Sequence, residues 1–172
     1  MIASLAEHVT PFDPYFLDVM VMLEGPSDKH WMGTDELGRD VFSRIIFGAQ
    51  VSLQVGVCAV LVGLTGGVIV GVLAAYYGGY VDQILMRFMD IVFCFPAILL
   101  AVILMANFGT SVFNAMLAIG IIFIPGFARL TRAITQTVQR QAFLEAAICL
   151  GLPGYKIIFR EILPNVLGPL LV

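Results

Sequence analysis

Two long stretches of this chain contain no Asp, Glu, Lys, Arg or His: Val51 to Val81 and Ile91 to Ala128. Charged residues are 12% of the 172, hydrophobic ones 60%, and the mean hydropathy is +0.98. Soluble domains carry about 25% charge and are roughly half apolar, so this scarcity excludes an ordinary soluble domain and indicates an integral membrane protein. Other absences narrow the function. An ion-coupled carrier ordinarily buries an acid, base or histidine at mid-depth to bind or relay its driving ion, and neither stretch has one. A membrane-embedded hydrolase needs a nucleophile with its base, or metal ligands, at that depth; the two histidines, His8 and His30, both precede the first stretch. The three cysteines, Cys58, Cys94 and Cys149, form no CxxC pair and read as small apolar fillers. The GxxxxGK[ST] phosphate loop is missing. No catalytic residue, metal site or cofactor is therefore expected on this chain. The net charge of −3 says nothing useful about nucleic acid, and no nucleic-acid partner is expected. Met1-Ile2-Ala3-Ser4 lacks the basic start of a signal peptide.

What is present is a set of membrane spans. Crossing about 30 Å of hydrocarbon takes about 20 helical residues. Val51–Tyr77 is long enough and is closed by Gly78-Gly79. Ile91 to Ala128 is too long for one crossing and is interrupted by Asn107-Phe108-Gly109-Thr110-Ser111. It predicts two spans, at 87–107 and 111–129, joined by a tight turn, and a further apolar run starts at 166. Six of the nine bases (Arg87, Arg129, Arg132, Arg140, Lys156, Arg160) fall on one side of these spans, which the positive-inside tendency makes cytoplasmic. Residues 1–50, with eight of the twelve acids, then lie outside. The expected organisation is an outer segment, 1–50, and an all-α, polytopic transmembrane domain, 51–172, with a cytoplasmic loop at 130–165.

Small residues recur at every fourth position of span one: Ala59, Gly63, Gly67, Gly71, Ala75. They line one helix face and would admit a closely packed neighbour, whose identity the sequence leaves open. Pro96 and Pro125 can each kink a span. Arg87 and Asp90, three apart, can pair on one helix face. In the outer segment, residues 10–26 read as extended. Thr34 or Asp35 is expected to cap an interfacial amphipathic helix on which Val41, Ile45 and either Phe42 or Ile46 share a face. Trp31 is placed like an interfacial belt residue.

The loop has a pattern of its own. From Leu130 the residues are helical but amphipathic, through Ile134, Val138 and Ala142 to Leu144-Glu145-Ala146-Ala147. Gly151 suits a left-handed position ending that helix, and Pro153 prevents its continuation. A second short helix, 154–163, is expected to stop at Pro164. Two short helices meeting at a glycine carry too little apolar surface to fold alone, which calls for a partner protein with a groove.

The order Glu145-Ala146-Ala147, Gly151, Ile162-Leu163-Pro164 resembles the "EAA" loop of ATP-binding-cassette (ABC) importer permeases. Within that superfamily "GTDELGRDVFSRIIFGAQVSL", "YYGGYVDQILMRFMDIVFCFP" and "REILPN" are similar to the C-type subunit of the dipeptide, oligopeptide and nickel branch. The likeness runs from about Pro11 to Val172. It departs at Leu152-Pro153-Gly154, where the branch more often carries a polar cap, and at Glu161, where a histidine or an apolar residue is usual.

The resemblance implies a type I importer transmembrane domain in a bacterial or archaeal cell membrane. The loop would be a coupling helix docked in a cleft of a separate ATPase subunit, with ATP and magnesium held there. Glu145, Ala146, Ala147 and Gly151 would form the docking core, followed by Ile162, Leu163 and Pro164. The implied partners are a second permease subunit, two ATPase subunits, a solute-binding protein on the outer segment, and lipid. Permeases of this family have about six spans, so the first is expected before Met1 and the last two after Val172. Two rival readings are half of an ion-coupled carrier and a non-transporting scaffold whose loop recruits a cytosolic protein. Missing intramembrane charge opposes the first, and the motif resemblance opposes the second.

Overall fold

The computed structural model describes residues 10–170; His8, Met1-Ile2-Ala3-Ser4 and the last two residues of the apolar run begun at 166 lie outside them. Among the described residues the fold is all-α, and the single extended pairing is an isolated bridge between Thr34 and Asp40. Six helices organise it: α1 (Val41–Tyr77), α2 (Gly79–Cys94), α3 (Ala97–Phe108), α4 (Val112–Val138), α5 (Ala142–Cys149), and α6, made of Gly154–Lys156, Ile157–Ile162 and Leu163–Leu170 in unbroken succession. The chain divides into two compact units, Met1–Val57 and Cys58–Val172, with the divide inside α1.

In the first unit, the described residues before α1, from 10 onward, form turns and one 3-10 turn, Val19–Val21, capped by Asp18. Among the described residues no separate interfacial helix precedes α1. Its expected residues are the first turns of α1, which at about 1.5 Å per residue is roughly 55 Å long and far exceeds a hydrocarbon core. The cap is Asp40 rather than Thr34 or Asp35: its Oδ2 accepts the Ser43 amide at 2.8 Å. Asp35 instead closes a tight turn by accepting the amides of Leu37 (2.8 Å) and Arg39 (3.0 Å), so the chain cannot enter a helix there. His30 is buried and bonds Asp40 through Nδ1 at 3.0 Å, with Phe12 against its ring. Trp31 is mostly exposed and packs on Phe42.

In the second unit, the span expected at 87–107 is not one helix. α2 and α3 meet at Phe95-Pro96 with a bend of 92°. Pro96 supplies no amide, and the residue before a proline is pushed out of helical conformation; Phe95 is accordingly extended, with φ −77° and ψ 133°. α1 and α4 are long and apolar enough to cross a membrane, and α2 with α3 make a third candidate only when counted across their bend. Span three runs past 129 to Val138, and Pro125 leaves it continuous.

Pro164 does not end α6. The preceding turn is wound as π-helix, with the Leu163 amide donating to Ile158 O, five residues back. This wider winding makes room for the proline ring, and the Asn165 side chain donates to Glu161 O at 2.6 Å. The apolar run at 166 is therefore the continuation of a helix already under way. The cysteines are exposed rather than core fillers; Cys58 and Cys94 sit on the outer surfaces of α1 and α2.

Candidate functional site

The polar loop folds into a knuckle. Leu150 caps α5, and Gly151 follows with φ +72°, a conformation most side chains resist. Gly151 N–H donates to Ile148 O (2.9 Å) and Leu152 N–H to Ala147 O (3.3 Å), the paired bonds of a Schellman ending. Pro153 is extended, and its carbonyl accepts the Lys156 amide at 2.9 Å to start α6.

Helical periodicity sorts the knuckle into two faces. Leu144, Ala147, Ile157 and Ile162 point inward and are buried. Glu145, Ala146, Ile148, Gly151, Tyr155, Phe159 and Pro164 are exposed, and Leu150 is 82% exposed. Leu163 is half-buried. The residues singled out from sequence therefore split. Glu145, Ala146, Gly151 and Pro164 are open to a partner, whereas Ala147 and Ile162 can act only by holding the knuckle's shape. Among the described residues Glu145 forms no ion pair.

The inward face is bolted to the spans. Leu144, Ile157, Ile162 and Val166 share one apolar cluster with Val68 and Val72 of α1 and Val138 of α4. Gly154 is a seat for Tyr76, whose hydroxyl would lie 2.8 Å from any added Cβ. Each large apolar side chain fully buried in this way is worth about 1.5–3 kcal/mol, so the knuckle cannot shift without carrying α1 and α4. This constellation offers no acid–base or nucleophilic pair; it is a packed contact between the knuckle and the two spans.

The small stripe of α1 lies against α4. A Cβ on Gly63 would stand 2.7 Å from Phe123 Cβ, on Gly67 2.3 Å from Phe127 Cβ, and on Gly71 2.5 Å from the Ala128 carbonyl. Ala59 and Ala75 are buried at either end. α4 answers with Gly120, whose added Cβ would lie 2.6 Å from Val62 Cβ, and with Ala128, fully buried. Thr131 and Thr135 are buried beside this seam with their hydroxyls unpartnered.

Two ion pairs missed in the sequence connect α2 to α4. Asp90 pairs with Arg129 at 2.8 Å rather than with Arg87, and Arg129 also lies over the Phe93 ring. Arg132 grips Asp82 with Nε on Oδ1 and Nη2 on Oδ2. The signal was available: two acids bounding one charged window, and two arginines opening the next. Among the described residues no group of three metal-ligating side chains is placed to hold an ion.

Long apolar helices with ionic groups gathered at their ends define a polytopic helical membrane protein. The chain belongs to the family of binding-protein-dependent transport system inner membrane components, the membrane-embedded permease domain of ABC importers, which it matches over residues 67–172. It is 42% identical to the glutathione transport system permease protein GsiD of Pectobacterium atrosepticum over 99% of this chain and 57% of that protein. It is 45% identical to the dipeptide transport system permease protein DppC of Alkalihalophilus pseudofirmus over 87% of this chain and 49% of that one. GsiD of Escherichia coli O6:K15:H31 is 41% identical over 100% of this chain and 57% of its own length. The chain thus spans about half the length of the curated relatives it matches.

Proposed function

We propose that this chain is the core of a transmembrane permease subunit in an ATP-driven importer, and that its knuckle takes up the work of a separate ATPase. The carrying observation is the division of the knuckle into an exposed apolar face and a buried face shared with α1 and α4. An exposed row such as Phe143, Ile148, Leu150 and Phe159 is a docking surface in need of a groove. On this reading Ala146 lets the groove approach closely, Glu145 makes a charged contact at its edge, and Gly151 sets the angle between α5 and α6. The knuckle then faces the cytoplasm, with ATP and magnesium bound on the partner. The remaining partners are a second permease subunit, a second ATPase, and a solute-binding protein on the outer side.

The names of the GsiD and DppC relatives favour a peptide-sized solute, a dipeptide, an oligopeptide or glutathione, over nickel. Selection would begin on the binding protein, and no buried charge in the described spans forms a solute site of its own.

The test is capture of the ATPase by the full-length permease in detergent. Gly151→Asp and Glu145→Lys should abolish co-purification while membrane insertion persists. Leu150→Asp, at a side chain that supports nothing internally, should do the same without disturbing the fold. Retained capture in all three variants would defeat the coupling role.

A further inference from the structure

α2 is held on α4 differently from α1. The α1–α4 seam is closed by glycines whose backbones touch facing side chains, an arrangement that is either intact or broken. α2 has one buried side chain, Met89, while Ile84, Phe88, Ile91 and Phe93 are exposed. Apolar burial therefore contributes little to its place. What joins it to α4 is charge: Asp82 in its first turn to Arg132, and Asp90 near its end to Arg129. Asp82 and Asp90 are the first and last ionisable residues of the 82–90 window, so both ends of that window are used for this contact.

The backbone on either side of α2 is built to turn. Gly78 and Gly79 both have positive φ, +60° and +50°, and neither has any atom within 4 Å of an added Cβ. At the other end the chain leaves through Phe95-Pro96 at the 92° bend, where helical hydrogen bonding is already interrupted. A short helix thus lies between a glycine pair with no side-chain neighbours and a break in helical conformation.

We propose that α2 is a releasable strut, hinged at Gly78-Gly79 and at Phe95-Pro96 and latched to α4 by the Arg132–Asp82 and Arg129–Asp90 pairs. The two pairs are not equal. Arg132 grips Asp82 with two parallel bonds on a largely shielded carboxylate, the stronger geometry. Arg129–Asp90 is half exposed and open to screening by salt. Release therefore begins at the Phe95-Pro96 end and finishes at Asp82, which swings α2 and the start of α3 away from α4. The α1–α4 seam and the knuckle bolted to it stay closed. The latch belongs to this chain alone. Its failure would leave the importer reading untouched, and loss of ATPase capture would leave the latch untouched.

The experiment is pulsed electron-spin distance measurement on the full chain in lipid nanodiscs, with Cys58, Cys94 and Cys149 replaced by Ser. Spin labels replace the exposed residues Ile84 on α2 and Leu130 on α4; a control pair replaces Leu61 on α1 and Ile121 on α4. A single narrow distance is expected for the α2–α4 pair at low salt, broadening toward longer distances at molar salt. Asp82→Arg should shift the distribution to longer distances, and adding Arg132→Asp should return it to the narrow one. The control pair should not move in any of these. An Asp82→Arg distribution identical to the parent, or a double variant that fails to restore it, overturns the latch. A control pair that shifts along with α2 overturns it too, since the ion pairs would then support the whole fold.

Discussion

Asp35 and Asp40 stand in one short turn ahead of α1 and solve different problems. Partial burial works to raise the Asp35 carboxyl, but the amides of Arg39 and Leu37 and the Arg39 guanidinium outweigh it, lowering the pKa to about 2; Arg44 pairs with it as well. Burial likewise works to raise Asp40, and bonds from the Ser43 hydroxyl and amide and from His30 hold it below the ordinary carboxylate range. Both groups titrate lower folded than unfolded, where an aspartate sits near about 3.9. Their contribution is therefore complete above about pH 4 and is lost as pH falls through the folded values, toward about 2 for Asp35. The sole tryptophan, Trp31, packed on Phe42, should report this as a fluorescence change in that acid window. A signal unchanged through the window would contradict the assignment. Asp40→Ala removes the α1 cap and should cost about 1–2 kcal/mol, seen as faster hydrogen exchange at the amides of Val41 to Arg44. Asp35→Asn should loosen the turn at Leu37 and Arg39 and leave those first α1 amides protected.

At the scale of the element, glycine has two opposite meanings in the same pair of helices. Gly67 is a contact, because a side chain there would overlap Phe127 Cβ and meet the Ala128 amide at 2.9 Å. Gly126 has nothing within 4 Å of an added Cβ. Gly67→Leu should therefore force α1 and α4 apart, at a cost of about 1–3 kcal/mol or more. Gly126→Ala should be neutral or gain up to about 1 kcal/mol from helix propensity. Thermal unfolding of the two variants in detergent checks the contrast, and equal melting temperatures would mean the seam is not tightly packed in the membrane. The fourfold spacing of Ala59 through Ala75 made the stripe legible beforehand. Its partner was not, because Gly120 and Ala128 follow no such run on α4 and become visible only when the two helices are laid together. Pro164 teaches the same lesson from the other side. Read locally it is a stop, yet a π turn placed before it supplies the room that local rules deny.

For the molecule as a whole, the most direct check is sidedness. Cys149 is exposed on the knuckle, whereas Cys58 and Cys94 lie on apolar helices. With the latter two changed to Ser, a membrane-impermeant thiol reagent should label Cys149 in inside-out vesicles and not in intact cells. Labelling from outside would place the knuckle on the wrong face for an ATPase and remove the proposed function. The same picture explains why the exposed knuckle and the buried cluster belong together. On the proposed function, a partner pulling on Leu150 and Phe159 would pull on Leu144 and Ile157, which share one apolar cluster with Val68, Val72 and Val138.

Composition and spacing alone determined that the chain is a helical membrane protein, where its charges gather and that a glycine breaks its polar loop; the likeness to a family of permeases came from its motifs. Those properties are local: hydropathy, turn chemistry and fourfold periodicity are written in neighbouring residues. Only the tertiary structure decided that 87–107 is two helices at a steep angle, that the small stripe of α1 meets α4, that Asp90 chooses Arg129 over Arg87, and which face of the knuckle is free. Each of these depends on residues distant in the chain meeting across a helix surface. A side chain's nearest partner there is set by packing and by the direction of its helix, and sequence separation says nothing about either.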